Sequence, residues 1–193
     1  MMMPYRKLRQ SFLLILVVFF LGGCVLEIKE PLFFPDSSNV PDISGRYGPP
    51  DHRDALVIER LTGENGKAGN HYRLRLSDGR KKDIDMEMVI EPLGEQRYIA
   101  QLRVDESPRQ GKVAYFLLLA EIELPRITWY TLRRHGVLVE TGKKYGVIID
   151  NAGVVTRYRS LAELKTFLNQ LLDDDDKEGR RVLKAEILIR EDG

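Results

Sequence analysis

Apolar and polar residues alternate with a period of two over much of the chain after residue 54, as is typical of half-buried β-strands. The apolar members of three consecutive runs are Tyr72, Leu74 and Leu76, then Ile84, Met86, Met88 and Ile90, then Tyr98, Ala100, Leu102 and Val104. Asp78-Gly79 and Gly94 separate these runs and favour tight turns. The pattern therefore predicts an antiparallel meander.

The alternation also restricts the register of the two predicted hairpins. A one-residue slip would send every side chain to the wrong face of the sheet, so odd loops centred on Gly79 and Gly94 are expected. In that register Asp85 lies between Arg73 and Arg103 on the polar face. We interpret these charges as an exposed cross-strand network and not as an active site.

Two later segments depart from the period of two. Residues 112–124 are apolar on both parities, which is typical of a strand whose two faces are both covered. Residues 160–172 repeat leucine and phenylalanine at helical spacing, and Ser160 with Glu163 makes a capping-box pattern at the start. We expect this amphipathic helix to cover the apolar face of the sheet.

The remaining segments complete the predicted fold. Residues 126–132 and 181–190 predict strands, and residues 147–157 predict a small hairpin. Residues 133–146 fit either a short strand or a short helix closed by Gly146, and the helix is favoured. The predicted fold class is α+β, mainly β. It is an antiparallel meander of about seven or eight strands, either barrel-like or open, covered by one C-terminal amphipathic helix.

The N-terminus carries a different pattern. Arg6, Lys7 and Arg9 precede an apolar run of ten residues, 12–21, and small residues follow it. This order is typical of a cleavable export signal. The run is too short for a membrane-spanning helix, which needs roughly 18 apolar residues. An ordinary secretory signal is the alternative, and it would leave Cys24 as a free thiol.

Leu21-Gly22-Gly23-Cys24 resembles the lipobox of bacterial lipoprotein precursors. The resemblance implies that residues 1–23 are a cleaved signal peptide and that Cys24 is the lipidation site, carrying diacylglycerol and, in many bacteria, a further acyl chain such as palmitate. Two acyl chains give stable membrane attachment. In a Gram-negative source Val25 differs from the Asp that favours the inner membrane, so the resemblance implies the periplasmic face of the outer membrane.

Composition describes the rest of the chain as one ordinary domain. Removal of residues 1–23 leaves 27 basic and 29 acidic residues, a net charge of −2, which argues against nucleic acid as a partner. Residues 24–42 are predicted to be the acylated cysteine and a flexible tether interrupted by prolines. Residues 43–193 are predicted to be a single β-rich globular domain.

Residues that could carry catalysis do not converge in the sequence. The three histidines His52, His71 and His135 are scattered, and none has the spacing of a metal site. The acidic run 173–176 lacks the spacing of a calcium loop and is expected to be a solvated helix exit. We therefore expect no enzyme activity, no metal and no cofactor.

Three functions fit these observations. The leading prediction is a non-enzymatic envelope lipoprotein, held at the membrane by lipid on Cys24, that acts as a protein-interaction or envelope-assembly module. The first alternative is a carrier of a small apolar ligand in a barrel interior. The second is a hydrolase with a site that the sequence does not reveal.

The carrier alternative has its own sequence support. Gly45-Arg46-Tyr47 resembles the Gly-x-Trp that opens lipocalin barrels, with Tyr in place of Trp. The resemblance bears on shape and carries over no ligand residue. A ligand cavity in a barrel interior would be expected among apolar side chains such as Met86, Met88, Tyr115 and Trp129.

Overall fold

The computed structural model describes residues 26–36, 39–48, 55–62, 66, 68–77, 84–107, 112–132, 135–150, 153–178 and 183–191. The strands are β1 (Leu26–Ile28), β2 (Gly45–Gly48), β3 (Ala55–Thr62), β4 (Ala68–Ser77), β5 (Ile84–Pro92), β6 (Arg97–Ser107), β7 (Lys112–Glu123), β8 (Arg126–Leu132), β9 (Ile148–Ile149), β10 (Val154–Arg157) and β11 (Leu183–Arg190). The helices are α1 (His135–Lys144) and α2 (Leu161–Glu178).

Eight of these strands close into an antiparallel barrel. Neighbouring strands pair in the order β2-β3-β4-β5-β6-β7-β8-β11, and β11 pairs back onto β2 through Ile189 with Gly48 and Arg190 with Tyr47. The mainly β meander is confirmed, and of the two predicted forms the structure adopts the closed barrel.

Strand β7 divides its outer edge between two partners. Its C-terminal half, from Leu119 to Glu123, pairs with β8. Its N-terminal half pairs antiparallel with β1, which in turn pairs parallel with β10, and β9 completes this three-stranded extension. Leu117, Leu118 and Leu119 are all buried, so both faces of β7 are covered as the double apolar parity predicts.

Inward-facing side chains form an interior core. Its buried members are Val40, Ile43, Tyr47, Ile58, Tyr72, Leu74, Met86, Met88, Ile90, Ala100, Leu102, Leu118, Ala120, Ile122, Ile127 and Trp129. A barrel of eight strands has an interior just wide enough for side chains to fill. Val40 and Ile43 precede β2, so the interior core also takes in residues from the predicted tether region and its border.

A second cluster, the outer core, lies on the opposite face of the barrel wall. Its barrel members are Val89, Ile99, Leu117, Leu119 and Leu183; the extension adds Leu26, Ile28, Ile149 and Val155, and the helices add Leu138, Leu164, Phe167, Leu168, Leu171 and Leu172, with Phe33 and Val147 from connecting segments. The prediction named one covering helix, over residues 160–172. The described residues contain two, and both contribute to this core.

The C-terminal end of α1 shows why the helix stops after Lys144. Gly146 adopts a φ of +73°, a left-handed conformation that glycine accepts without steric cost. The Val147 N–H donates to the Gly142 carbonyl at 2.8 Å, and the Gly146 N–H donates to Lys143 at 3.3 Å. These two bonds form a Schellman motif, and Gly146 closes the helix as predicted.

Helix α2 starts as predicted and ends later. The Glu163 N–H donates to the Ser160 hydroxyl oxygen at 3.2 Å, which is the N-cap bond. The helix was expected to end at 172, but it continues to Glu178, so the acidic run 173–176 lies within it and not at its exit. Asp173 accepts a 2.6 Å hydrogen bond from Arg97 Nη1 on β6. These residues are far apart in the sequence, so no local pattern could predict this contact.

Candidate functional site

Strand β1 fastens the start of the described chain to the barrel. Leu26 pairs with Leu117 of β7, and Glu27 lies between Phe116 and Val154. Leu26 and Ile28 have exposed fractions of only 2% and 3%. Cys24, the predicted lipidation site, lies outside the described residues, two positions before Leu26.

Gln101 holds the next part of the N-terminal segment. Its side-chain oxygen accepts hydrogen bonds from the N–H groups of Leu32 at 2.6 Å and Phe33 at 3.1 Å. Its side-chain nitrogen donates to the Phe33 carbonyl at 2.8 Å. The Gln101 side chain is buried on the outer face of β6, and it bonds Phe33 much as a neighbouring strand would.

Asn70 on β4 binds the N-terminal segment in a similar way at Asp36. Its backbone N–H donates to the Asp36 carbonyl at 3.2 Å, and its side-chain oxygen accepts from the Asp36 N–H at 2.9 Å. The sequence pattern did not predict a role for Gln101 or Asn70. An uncharged amide on the polar face of a strand otherwise rich in arginine is the signal that could have drawn attention to Gln101.

Residues 40–43 lie at one end of the barrel. The Tyr72 hydroxyl donates to the Pro41 carbonyl at 2.9 Å, and the Tyr47 hydroxyl donates to the Ile43 carbonyl at 2.9 Å. Arg60 Nη2 donates to the Val40 carbonyl at 3.3 Å. The described part of the segment that was predicted to be a tether therefore lies against the barrel over much of its length.

The predicted ligand residues do not all lie together. Met86, Met88 and Trp129 are buried in the interior core, whereas Tyr115 packs against the outer core. Tyr115 has the opposite parity to Phe116, which points inward. Because β7 is apolar on both parities, the sequence could not tell which set faces the barrel interior. Ligand binding by these residues stays a prediction.

Burial varies within the barrel. The inward side chains of Ile90 and Ala100 are fully buried. Six apolar side chains that pack against the interior core are only partly buried: Leu56, Leu76, Tyr98, Val104, Phe116 and Leu188.

The polar face of β4, β5 and β6 carries the charge ladder, which consists of Arg73, Arg75, Asp85, Glu87 and Arg103. Both hairpin registers differ from the predicted ones by two residues. Arg73 and Arg103 flank Glu87 instead of Asp85, and Asp85 pairs with Arg75. A two-residue slip keeps every side chain on its face, so the alternation could not distinguish the two registers.

The charge ladder borders a shallow, open depression of about 250 Å³, which Asp105 also lines. Arg103 lies 3.5 Å from a Glu87 oxygen and 3.1 Å from an Asp105 oxygen. Arg75 lies 3.3 Å from Asp85. These side chains are well exposed, and their opposite charges are paired across strands or, for Arg103 with Asp105, along one strand, which agrees with the interpretation as a surface network.

The histidines do not form a metal-binding cluster with acidic side chains in the described part of the chain. His71 lies 3.8 Å from Glu87 beside the charge ladder, whereas His52 and the His135 side chain lie outside the described part of the structure. Among the described residues, no group of three or more His, Cys, Asp or Glu side chains could hold a metal ion.

The shifted pKa values near the N-terminal segment follow from its contacts. Burial raises the pKa of Tyr72 to about 12 and also raises that of Tyr47. Hydrogen bonds from Ser44 lower the pKa of Asp42 below its ordinary value. A hydrogen bond to Asp173 raises the pKa of Arg97. These groups hold the segment and α2 in place.

Comparison of the chain with protein-family models, with curated proteins and with solved structures found no match. Within the described ranges, neither helix has the length and apolar character required to cross a membrane.

Proposed function

We propose that the chain is a lipid-anchored lipoprotein of the bacterial cell envelope whose β-barrel is a non-enzymatic interaction or assembly module. The observation that carries this proposal is the lipobox-like Leu21-Gly22-Gly23-Cys24, which ends two residues before a strand docked on the barrel. A lipidated Cys24 would hold the barrel directly at the membrane surface. In a Gram-negative source this surface is the periplasmic face of the outer membrane.

The arrangement of the two cores supports a scaffold role. Helix α2 acts as the cover of the apolar outer face, and polar contacts at its edges complete this packing: Lys165 lies 2.6 Å from Glu91, and Arg97 lies 2.6 Å from Asp173. A barrel stabilised in this way presents its remaining surface in a constant shape. Binding to a partner then requires little loss of conformational entropy in the barrel.

Expression of Cys24→Ala tests the anchor. After the membranes are washed at high salt, which removes proteins held only by charge, we expect the wild-type protein in the membrane fraction and the variant in the soluble fraction. Mass spectrometry should find a diacylglyceryl group on the N-terminal peptide of the wild type. Val25→Asp is the matched control, since it keeps the cysteine and should move the protein to the inner membrane of a Gram-negative host. A Cys24→Ala protein that still sediments with salt-washed membranes would contradict the proposal.

The interaction role requires a second experiment. Crosslinking in intact cells, followed by purification of wild type and Cys24→Ala, should recover a defined envelope protein with the wild type and much less of it with the variant. If crosslinking of the lipidated protein recovers no protein at a defined ratio, the interaction module is refuted even where the anchor is verified.

A carrier of a small apolar ligand is the second candidate. The observation that favours it is that several apolar side chains packed against the interior core are only partly buried, among them Leu56, Leu76, Val104 and Phe116. Trp129 is the only tryptophan in the chain and lies in the interior core, so its fluorescence reports on the interior. Saturable quenching by a brominated fatty acid, weakened in Phe116→Ser, would support this candidate. Fluorescence that does not change would refute it.

A further inference from the structure

A patch of positive charge lies on the side of the molecule that carries the three-stranded extension. We define the basic patch as Lys143, Lys144, Ile148, Arg157, Tyr158 and Arg159. Lys143 and Lys144 end α1, whereas Arg157 pairs with Ile148 across β10 and β9. An added Cβ on Gly146, just after α1, would lie 3.1 Å from Arg159 Nε, so the Arg159 side chain packs over the end of this helix.

The basic patch combines exposed cations with exposed apolar side chains. All four basic residues are exposed. Ile148 has an exposed fraction of 46% and Tyr158 one of 37%, and Leu161 beside them is also exposed. Three carboxylates lie near these cations: Glu163 is 3.8 Å from Arg159, Glu140 comes one turn before the lysines, and the exposed Asp150 directly follows β9. The four basic residues outnumber them by one.

This composition is that of a membrane-water interface. Tyrosine is enriched at the level of the lipid headgroups, and lysine and arginine lay their apolar stems along the surface while their charges reach anionic headgroups. Exposed aliphatic side chains such as Ile148 can enter the boundary between headgroups and acyl chains. Each feature suits a bilayer with anionic lipids.

The position of the basic patch relative to the chain start leads to the same partner. Strand β10 lies directly beside β1, with Glu27 level with Val154 and Ile28 level with Val155. Because the two strands are parallel, Arg157 lies about 13 Å along the strand direction from the level of Leu26, on the side away from the N-terminus. Because Cys24 is two residues before Leu26, a bilayer that holds lipid on Cys24 also comes close to the basic patch when β1 and β10 lie along its surface.

We propose that the basic patch docks the barrel onto anionic phospholipid headgroups, so that the protein lies on the membrane in one orientation. The identity of the membrane rests on the proposed lipid anchor. Binding of the basic patch to lipid does not, because charge and exposure alone would cause it.

Vesicle binding by the mature chain, residues 24–193 with Cys24→Ala, tests the basic patch without the anchor. This chain contains every described residue, and circular dichroism checks its fold. We expect it to bind vesicles of equimolar phosphatidylglycerol and phosphatidylcholine and to lose that binding at high salt. Lys143→Gln with Lys144→Gln should weaken the partition coefficient about 30-fold, since each cation near an anionic surface contributes about fivefold.

The matched control is Arg73→Gln with Arg103→Gln, which removes two cations from the charge ladder and should change binding less than about twofold. Arg157→Gln with Arg159→Gln gives a second patch variant if the lysine variant does not fold. Two results would overturn the proposal. One is equal binding to anionic vesicles and to vesicles of pure phosphatidylcholine. The other is an equal loss of binding in the patch variants and in the control variant. Either result would leave the anchor, which fractionation of Cys24→Ala tests separately, unaffected.

Discussion

Gln101 offers a sharp test of how the N-terminal segment is held. The change Gln101→Met keeps a side chain of similar length and volume but removes the amide. It breaks the bonds from the N–H groups of Leu32 and Phe33 to the amide oxygen, and the bond from the amide nitrogen to the Phe33 carbonyl. The packing of β6 should change little, so the variant isolates the hydrogen bonds.

The expected cost can be worked out from burial. Each hydrogen bond contributes about 0.5–1.5 kcal/mol net, and a buried group left without a partner costs about 1–3 kcal/mol. Phe33 is buried, whereas Leu32 is partly exposed and its N–H can reach water. We therefore expect the free energy of unfolding to fall by about 2–4 kcal/mol. The loss of stability has an upper limit, because the N-terminal segment can detach from the barrel and expose its unpaired N–H groups to water.

Urea denaturation measures this loss, and hydrogen exchange locates it. Exchange at the Phe33 N–H should become faster, while amides in the ladder between β6 and β7 keep their protection relative to global unfolding. The matched control is Arg103→Met, two residues further on the same strand and the same face. Its exposed ion pairs predict a loss below about 1 kcal/mol.

Two results would refute this reasoning. One is a loss below about 0.5 kcal/mol for Gln101→Met with unchanged exchange at Phe33, since that would mean the bonds carry no net stability. The other is an equal loss for Gln101→Met and Arg103→Met, because the effect would then follow from any change at this face of β6.

Three further predictions test other parts of the fold. Phe167→Ala should lower the free energy of unfolding by about 3–5 kcal/mol in urea denaturation, because Phe167 is fully buried in the outer core. Gly146→Ala should cost about 1 kcal/mol by the same measurement, since its φ is +73° and the new Cβ would press on Arg159; no loss would argue against the helix cap. Asp42 has a lowered pKa in the folded state, so its contribution is present above the ordinary value of 3.8 and is lost as the pH falls through the lower folded value. The stability difference between wild type and Asp42→Asn should thus shrink on acidification, and a difference independent of pH would contradict the role of Ser44.

The fold class could be predicted because its signals are local. Alternation along β4, β5 and β6 assigned Tyr72, Met88 and Leu102 to the apolar face, and the structure places them side by side inside the barrel. Ser160 and Gly146 marked the start of α2 and the end of α1 through backbone bonds within a few residues. Such signals do not depend on the rest of the molecule.

The hairpin registers and the orientation of β7 could not be predicted. A two-residue slip moves Glu87 into the place of Asp85 without changing the face of either side chain. Both parities of β7 are apolar, so only the packing around it assigns Phe116 to the interior and Tyr115 to the outside. The roles of Gln101 and Asn70 depend on residues more than thirty positions away.

The sequence by itself determined the alternation that builds the strands, the start of α2 and the lipobox-like signal that ends at Cys24, because each is written in neighbouring residues. Only the tertiary structure decided that the meander closes, since pairing of β11 with β2 joins the first and last strands of the barrel. It also decided that residues 26–36 and 39–43 lie on the barrel and that Lys143, Lys144, Arg157 and Arg159 share one surface. Each of these results depends on contacts between elements that are distant in the sequence, and the packing of the whole chain determines those contacts.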